Sequence, residues 1–88
     1  MLNKKFVMNC KEGFHLRPAQ VLVEQATPFQ SRIEIQKAGG EKADAKSILG
    51  MMSLGVETGE EVEVFVDGPD ENTAMAMVEK LFATNFDE

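Results

Sequence analysis

The sequence predicts an α+β sandwich, in which one antiparallel sheet carries its helices on a single face. Two observations lead there. Three segments, "KKFVMNCK", "SRIEIQK" and "EEVEVFVD", alternate apolar and polar residues with the period of a strand, and two others repeat their apolar residues at helical spacing. In order the elements read β-α-β-β-α-β-α over 88 residues, a length that suits one domain, residues 1–88.

In the first strand Phe6, Met8 and Cys10 share one face, with Lys5, Val7, Asn9 and Lys11 on the other. From Arg17 onward Ala19, Leu22, Val23 and Ala26 form a helical stripe. Pro18 lies in the first turn of that helix, where its missing N–H costs nothing, and Pro28 and Phe29 close it. The second strand turns Ile33 and Ile35 inward. "AGGE" then supplies a hairpin turn, and "KADA" returns as a short edge strand. Ser47 is a candidate N-cap for a brief helix through Ser53, weakened by Gly50. Gly55 and Gly59 frame a loop before the fourth strand, which points Val62, Val64 and Val66 inward. The last segment opens on turn residues and continues as a helix through "AMAMVEKLFATNF", with Ala74, Met77, Val78, Leu81 and Phe82 on one face.

Composition removes several functions. A net charge of −6 and six phenylalanines without Tyr or Trp argue against nucleic acid, which calls for a basic face and stacking platforms. One histidine and one cysteine without ligand spacing make no metal site, and no cofactor is expected. No apolar run approaches the roughly 20 residues of a membrane span, and residues 1–5 are not followed by a signal-peptide core. Cys10 reads as a buried strand residue. As the one cysteine it forms no internal disulfide, which agrees with a reducing, cytoplasmic setting.

The one histidine, His15, stands immediately before the predicted first helix. The first N–H groups of a helix have no intrahelical acceptor and carry partial positive charge, so an anion such as phosphate is favoured there. Pro18 cannot donate, which leaves the amides of Leu16 and Arg17, and the Arg17 guanidinium adds a permanent charge. The same positive environment disfavours imidazolium. It keeps His15 neutral near pH 7 and able to attack phosphorus as a nucleophile. Taken alone, these residues equally suit a solvated or capping histidine.

"GFHLRPA", residues 13–19, resembles the active-site signature of the HPr family, the histidine-containing phosphocarriers of the bacterial phosphoenolpyruvate:sugar phosphotransferase system. "AKSILGMMSLG", residues 45–55, is similar to the regulatory serine segment of Gram-positive members, and the similarity spans nearly the whole chain. The resemblance implies an open-faced sandwich with strand order 1-4-2-3 and three helices on one face. It implies that His15 is phosphorylated on Nδ1 by enzyme I, and that Arg17 steadies the phosphoryl group and assists its passage to sugar-specific IIA proteins. Such a protein is a carrier and co-substrate, not a catalyst. Ser47 matches the serine modified by HPr kinase/phosphorylase, a modification that slows the enzyme I step and creates a surface for catabolite control protein A. Leu49 and Met52, with Gln20 and Phe14, match partner-contacting positions, and a monomer is expected because those surfaces must stay free. Read as residues only, Ser47 also fits a plain N-cap, and Met52 also fits the core.

Three residues depart from the family pattern. Phe14 replaces a smaller aliphatic residue, Leu16 replaces Ala or Thr, and Glu12 replaces a small neutral one. Glu12 either raises the pKa of His15 and repels phosphate, or points to solvent. The "KAGGEK" turn is one residue longer than usual, which puts the serine at 47. Beside the carrier stand an unrelated ferredoxin-like binding domain, which only the fold supports, and two rivals within the family. One is a regulatory module acting through Ser47-dependent binding, and the other is a carrier for a dedicated route outside sugar uptake. The intact His15/Arg17 pair separates this chain from purely regulatory family members, which lack that histidine.

Overall fold

Four strands pair in one antiparallel sheet, ordered β1-β4-β2-β3, as the resemblance implied. They are β1 (Leu2–Val7), β2 (Arg32–Lys37), β3 (Lys42–Asp44) and β4 (Glu61–Asp67). Three helices, α1 (Leu16–Ala26), α2 (Ile48–Ser53) and α3 (Glu71–Ala83), cover one face. This computed structural model describes residues 1–11 and 16–87.

The register explains the core. Val66 lies opposite Leu2 on one side and Ile33 on the other, and Val64 lies opposite Ile35. Val62, Val64, Val66, Ile33 and Ile35 form the inner face of the two central strands, and Ala19, Leu22 and Ala26 of α1, Met51 of α2, and Ala74 and Val78 of α3 close over them. Each such Val, Leu or Ile contributes about 1.5–3 kcal/mol by leaving water. The opposite residues, among them Asn3, Lys5, Glu34, Gln36, Glu63 and Phe65, form an uncovered face on which the Lys42 ammonium sits 4.0 Å from the centre of the Phe65 ring.

Three details differ from the sequence expectation. The ladder of β1 ends at Val7, although Met8 and Cys10 keep the inward alternation and are fully buried. Past Val7 the chain is held instead by a turn, with the Met8 N–H donating to the Glu60 carbonyl (2.9 Å) and the Gly59 N–H donating to Met8 (2.7 Å). On α3 the buried methionine is Met75, with Met77 half-buried, because Met75, Val78 and Phe82 fall on one stripe at i, i+3 and i+7.

The third difference is at the C-terminal end. α3 stops at Ala83, and a turn at Asn85–Asp87 follows in which Asn85 (φ 53°) and Phe86 (φ 56°) are both left-handed. Asparagine tolerates that conformation, whereas in a residue as bulky as phenylalanine it costs about 1–3 kcal/mol. Burial offsets the cost. Phe86 is 1% exposed and meets Phe82 edge to face at 4.9 Å, and Phe82 in turn stacks on Phe6 of β1 at 4.4 Å.

The start of α3 is tied to β2. The Asp70 carboxylate does not cap its own helix; it accepts from the backbone N–H groups of Gln30 and Ser31, each at 2.9 Å, and from the hydroxyl of the fully buried Ser31. The Ser31 hydroxyl first, and then the Gln30 amide, hold the Asp70 carboxyl below the ordinary aspartate value of 3.8. Its stabilising effect is therefore complete above that ordinary value and is lost as pH falls through the lowered one. Asp70→Asn is expected to be less stable than wild type at neutral pH, with the difference shrinking as acidity increases below 3.8. Urea titrations at a series of pH values measure this, and a difference independent of pH would count against it.

Candidate functional site

The site predicted from sequence lies where the chain enters α1, with the N-cap of α2 on a neighbouring helix. His15, Phe14, Gly13 and Glu12 lie outside the described residues. From Leu16 onward the helix separates into two sides. Pro18, Ala19, Leu22 and Ala26 are buried and fasten α1 to the sheet. Leu16 (51% exposed), Arg17 and Gln20 face outward, and Arg17 and Gln20 share a surface because they are three residues apart.

The electrostatics of this end are one-sided. Leu16 and Arg17 carry N–H groups with no acceptor inside the helix, and Pro18 has none to satisfy. The first turn holds no acidic residue, so Arg17 is its one charged side chain. No ion pair engages the Arg17 guanidinium among the described residues, which leaves its forked donors available to an incoming anion.

Ser47 caps α2 as expected. Its backbone is extended (φ −120°, ψ 117°), its Oγ accepts from the Gly50 N–H at 3.1 Å, and its carbonyl accepts from the Met51 N–H at 2.9 Å. Six residues make too short a helix to persist unaided, so α2 depends on this cap and on fully buried Met51. Leu49 is 83% exposed and Met52 42% exposed, which places both on the surface rather than in the core. α2 packs against α1, so this apolar pair stands on the helix beside Arg17 and Gln20. Ser47→Ala is expected to lower stability by about 1 kcal/mol through loss of the cap, as read from denaturant midpoints. Ser47→Asn, which restores an acceptor, is expected to recover most of it.

Two contacts near the site carry no signal in the sequence. The Thr58 hydroxyl donates to the Cys10 carbonyl, and the Cys10 Sγ–H donates to the Asn85 carbonyl at 3.4 Å. Both join residues at least 48 apart in the chain, beyond the reach of any local pattern. Among the described residues no cluster of three His, Cys, Asp or Glu side chains is arranged to hold a metal ion, and no helix is long and apolar enough to cross a membrane.

Comparison with known proteins bears directly on this arrangement. Residues 2–84 match the family described as "PTS HPr component phosphorylation site". The chain is 38% identical over 78 residues to phosphocarrier protein HPr of Treponema pallidum, covering 89% of this chain and 88% of that protein. It is 42% identical over 83 residues to the HPr-like protein Crh of Bacillus subtilis, covering 94% and 93%. The fold superposes on a crystal structure of HPr from Thermoanaerobacter tengcongensis with a TM-score of 0.94 at 38% identity, over 100% of this chain and 98% of that one. Similar structures include dimers of that HPr and of Crh, the latter formed by a swapped domain. Strand order, a helix that opens on Leu16, Arg17 and Pro18, and a capped second helix with an apolar outer face all accompany these matches, and the chain belongs to the HPr family of phosphocarrier proteins of the phosphotransferase system.

Proposed function

We propose that this chain, acting as one domain over residues 1–88, carries a phosphoryl group on His15 from enzyme I to sugar-specific IIA proteins. The observation that supports it most is the exposed Arg17, which no ion pair engages among the described residues, in the first turn of α1, a turn without acidic residues, two positions after His15. In each transfer a ring nitrogen of the acceptor histidine attacks phosphorus in line. A new N–P bond forms as the N–P bond to the donor histidine breaks, so atoms and charge balance without a cofactor. The protein's contribution is alignment and charge compensation. Leu16 and Arg17 supply backbone N–H groups and Arg17 the guanidinium, while Pro18 and Ala19 hold the helix end in place. The chain is a co-substrate of enzyme I, working in the cytoplasm as a monomer whose partner faces stay open.

Ser47 is the regulatory position in this reading, modified by HPr kinase/phosphorylase. A phosphoryl group at an N-cap is compatible with the helix dipole, so its charge acts on partners, weakening the approach of enzyme I and favouring catabolite control protein A. Leu49 and Met52, with Gln20 and Phe14, form the contact surface, and flexible methionine suits several partners. The 42% identity to the HPr-like protein Crh supports a second reading, in which Ser47-dependent binding is the main output.

The deciding experiment is intact mass after incubation with enzyme I, phosphoenolpyruvate and Mg²⁺, before and after mild acid. One phosphoryl adduct lost in acid is the expected result. No adduct, where a known HPr is phosphorylated alongside, would overturn the carrier reading in favour of the regulatory one.

A further inference from the structure

Among the described residues β1 pairs on one side only, with β4, so along its other side alternate backbone N–H and C=O groups face no strand. The opposite edge of the sheet offers less, because β3 is three residues long and α2 follows it closely. Between the free edge of β1 and α3 opens a groove of about 380 Å³. Phe6 and Phe82, stacked at 4.4 Å, line it together with Val7, which is 46% exposed. Lys4 and Glu79, which also line it, pair with each other, whereas no ion pair engages Lys5 among the described residues. A strand edge beside a helix, with apolar surface between them, is an arrangement that takes up an extended peptide as one more strand.

What such a strand must carry follows from β4, which β1 already accepts on its other side. Val62, Val64 and Val66 turn toward the helices, and Glu61 and Glu63 turn the other way. Glu63 lies opposite Lys5, and its carboxylate accepts from Asn3 Nδ2 at 2.6 Å. The pleat continues across a sheet, so at the free edge apolar side chains fall toward Phe6 and Phe82 and their neighbours fall beside Asn3 and Lys5, where an acid is favoured. A second copy of β1 is a poor occupant. Laid antiparallel on itself over its full length, "LNKKFV" puts Lys4 opposite Lys5, and like charges directly opposite repel.

We propose that the free edge of β1 and the groove beside α3 form a docking site for an extended segment of a partner protein, a strand that alternates apolar and acidic residues. The site shares no residue with the surface that carries Arg17, Gln20, Leu49 and Met52, and it requires neither His15 nor Ser47 to be modified.

The probe is the acetylated, amidated peptide EVEVFVD, the sequence of Glu61–Asp67, titrated into the full ¹⁵N-labelled chain, with KVKVFVK as its basic counterpart. The acidic peptide is expected to shift the amide signals of Leu2–Val7 and of residues 79–83, and to slow hydrogen exchange at the β1 amides that β4 leaves unbonded. The basic peptide is expected to shift neither set. Lys5→Gln is expected to weaken binding of the acidic peptide about threefold, the share of one exposed ion pair, while α1 and α2 signals stay as in wild type. Shifts confined to β3, or no shifts at millimolar peptide, would overturn the proposal. Equal binding of the two peptides, or an unchanged affinity in Lys5→Gln, would overturn the acidic preference and with it the proposed occupant. Shifts of β1 that grow with protein concentration in the absence of peptide would make a second copy the occupant, and would overturn the proposal as well.

Discussion

Replacing His15 with alanine is expected to abolish the acid-labile phosphoryl adduct completely while leaving phosphorylation of Ser47 at its wild-type extent. The loss is total rather than partial because in the proposed reading the side chain is itself the covalent acceptor, and this chain contains no second histidine to take its place. Arg17 and the first-turn amides stay in the variant, so what disappears is the nucleophile and not the anion site. Ser47 lies on a different helix, with its cap made by Gly50 and Met51, so its modification is expected to proceed. Intact mass before and after acid, with each phosphoryl donor in turn, reads both outcomes. An acid-labile adduct that persists in the variant would place the acceptor elsewhere. Loss of both adducts would mean that the substitution damages the fold.

Gly68→Ala is expected to destabilise the protein by about 3 kcal/mol or more, a large share of what holds a domain of this size together. A Cβ at Gly68 would lie 2.6 Å from the Cα and 2.6 Å from the Oγ of Ser31. The first of these is backbone of the segment entering β2, which cannot swing aside as a long side chain would. The backbone at Gly68 also has φ +155°, a conformation L-residues rarely adopt. Moving Ser31 disturbs the hydroxyl and amide that both bind Asp70, so the join between β2 and the start of α3 loosens as a unit. Chemical denaturation gives the magnitude. A loss below about 1 kcal/mol would mean that Ser31 yields more freely than its burial implies.

Most of the fold was legible because the inner faces of β2 and β4 and the stripe of α1 obey simple periods. Ile33, Ile35, Val62, Val64, Val66, Ala19 and Leu22 were all assigned inward and are all buried. The assignments that slipped depend on partners rather than on pattern. Nothing in the alternation through Cys10 says that the ladder stops at Val7, because that end is set by where β4 begins. Phe86, four residues after Phe82, continues the apolar stripe of α3 closely enough to read as helix, whereas its packing edge to face on Phe82 depends on a left-handed turn that no local pattern announces. At the candidate site Arg17, Gln20, Ser47, Leu49 and Met52 are picked out by the resemblance; Arg17, Gln20, Leu49 and Met52 are exposed and Ser47 caps α2. The tie between Cys10 and Asn85 was invisible, since it joins the two ends of the chain.

The strand order has a consequence for how the molecule is made. β1 is an edge strand whose sole partner in the sheet is β4, with Leu2 opposite Val66 and Phe6 opposite Val62. During synthesis the first strand to leave the ribosome therefore waits without a complete partner until about two-thirds of the chain has followed it. The β2–β3 hairpin closes from neighbouring sequence, whereas β1 joins through the longest loop in the sheet, the kind of closure that slows folding. α1 follows β1 directly, so the surface on which Arg17 and Gln20 stand is finished only when β1 closes the sheet. A nascent or partly folded chain should thus be a poor substrate for any phosphoryl donor that reads that surface.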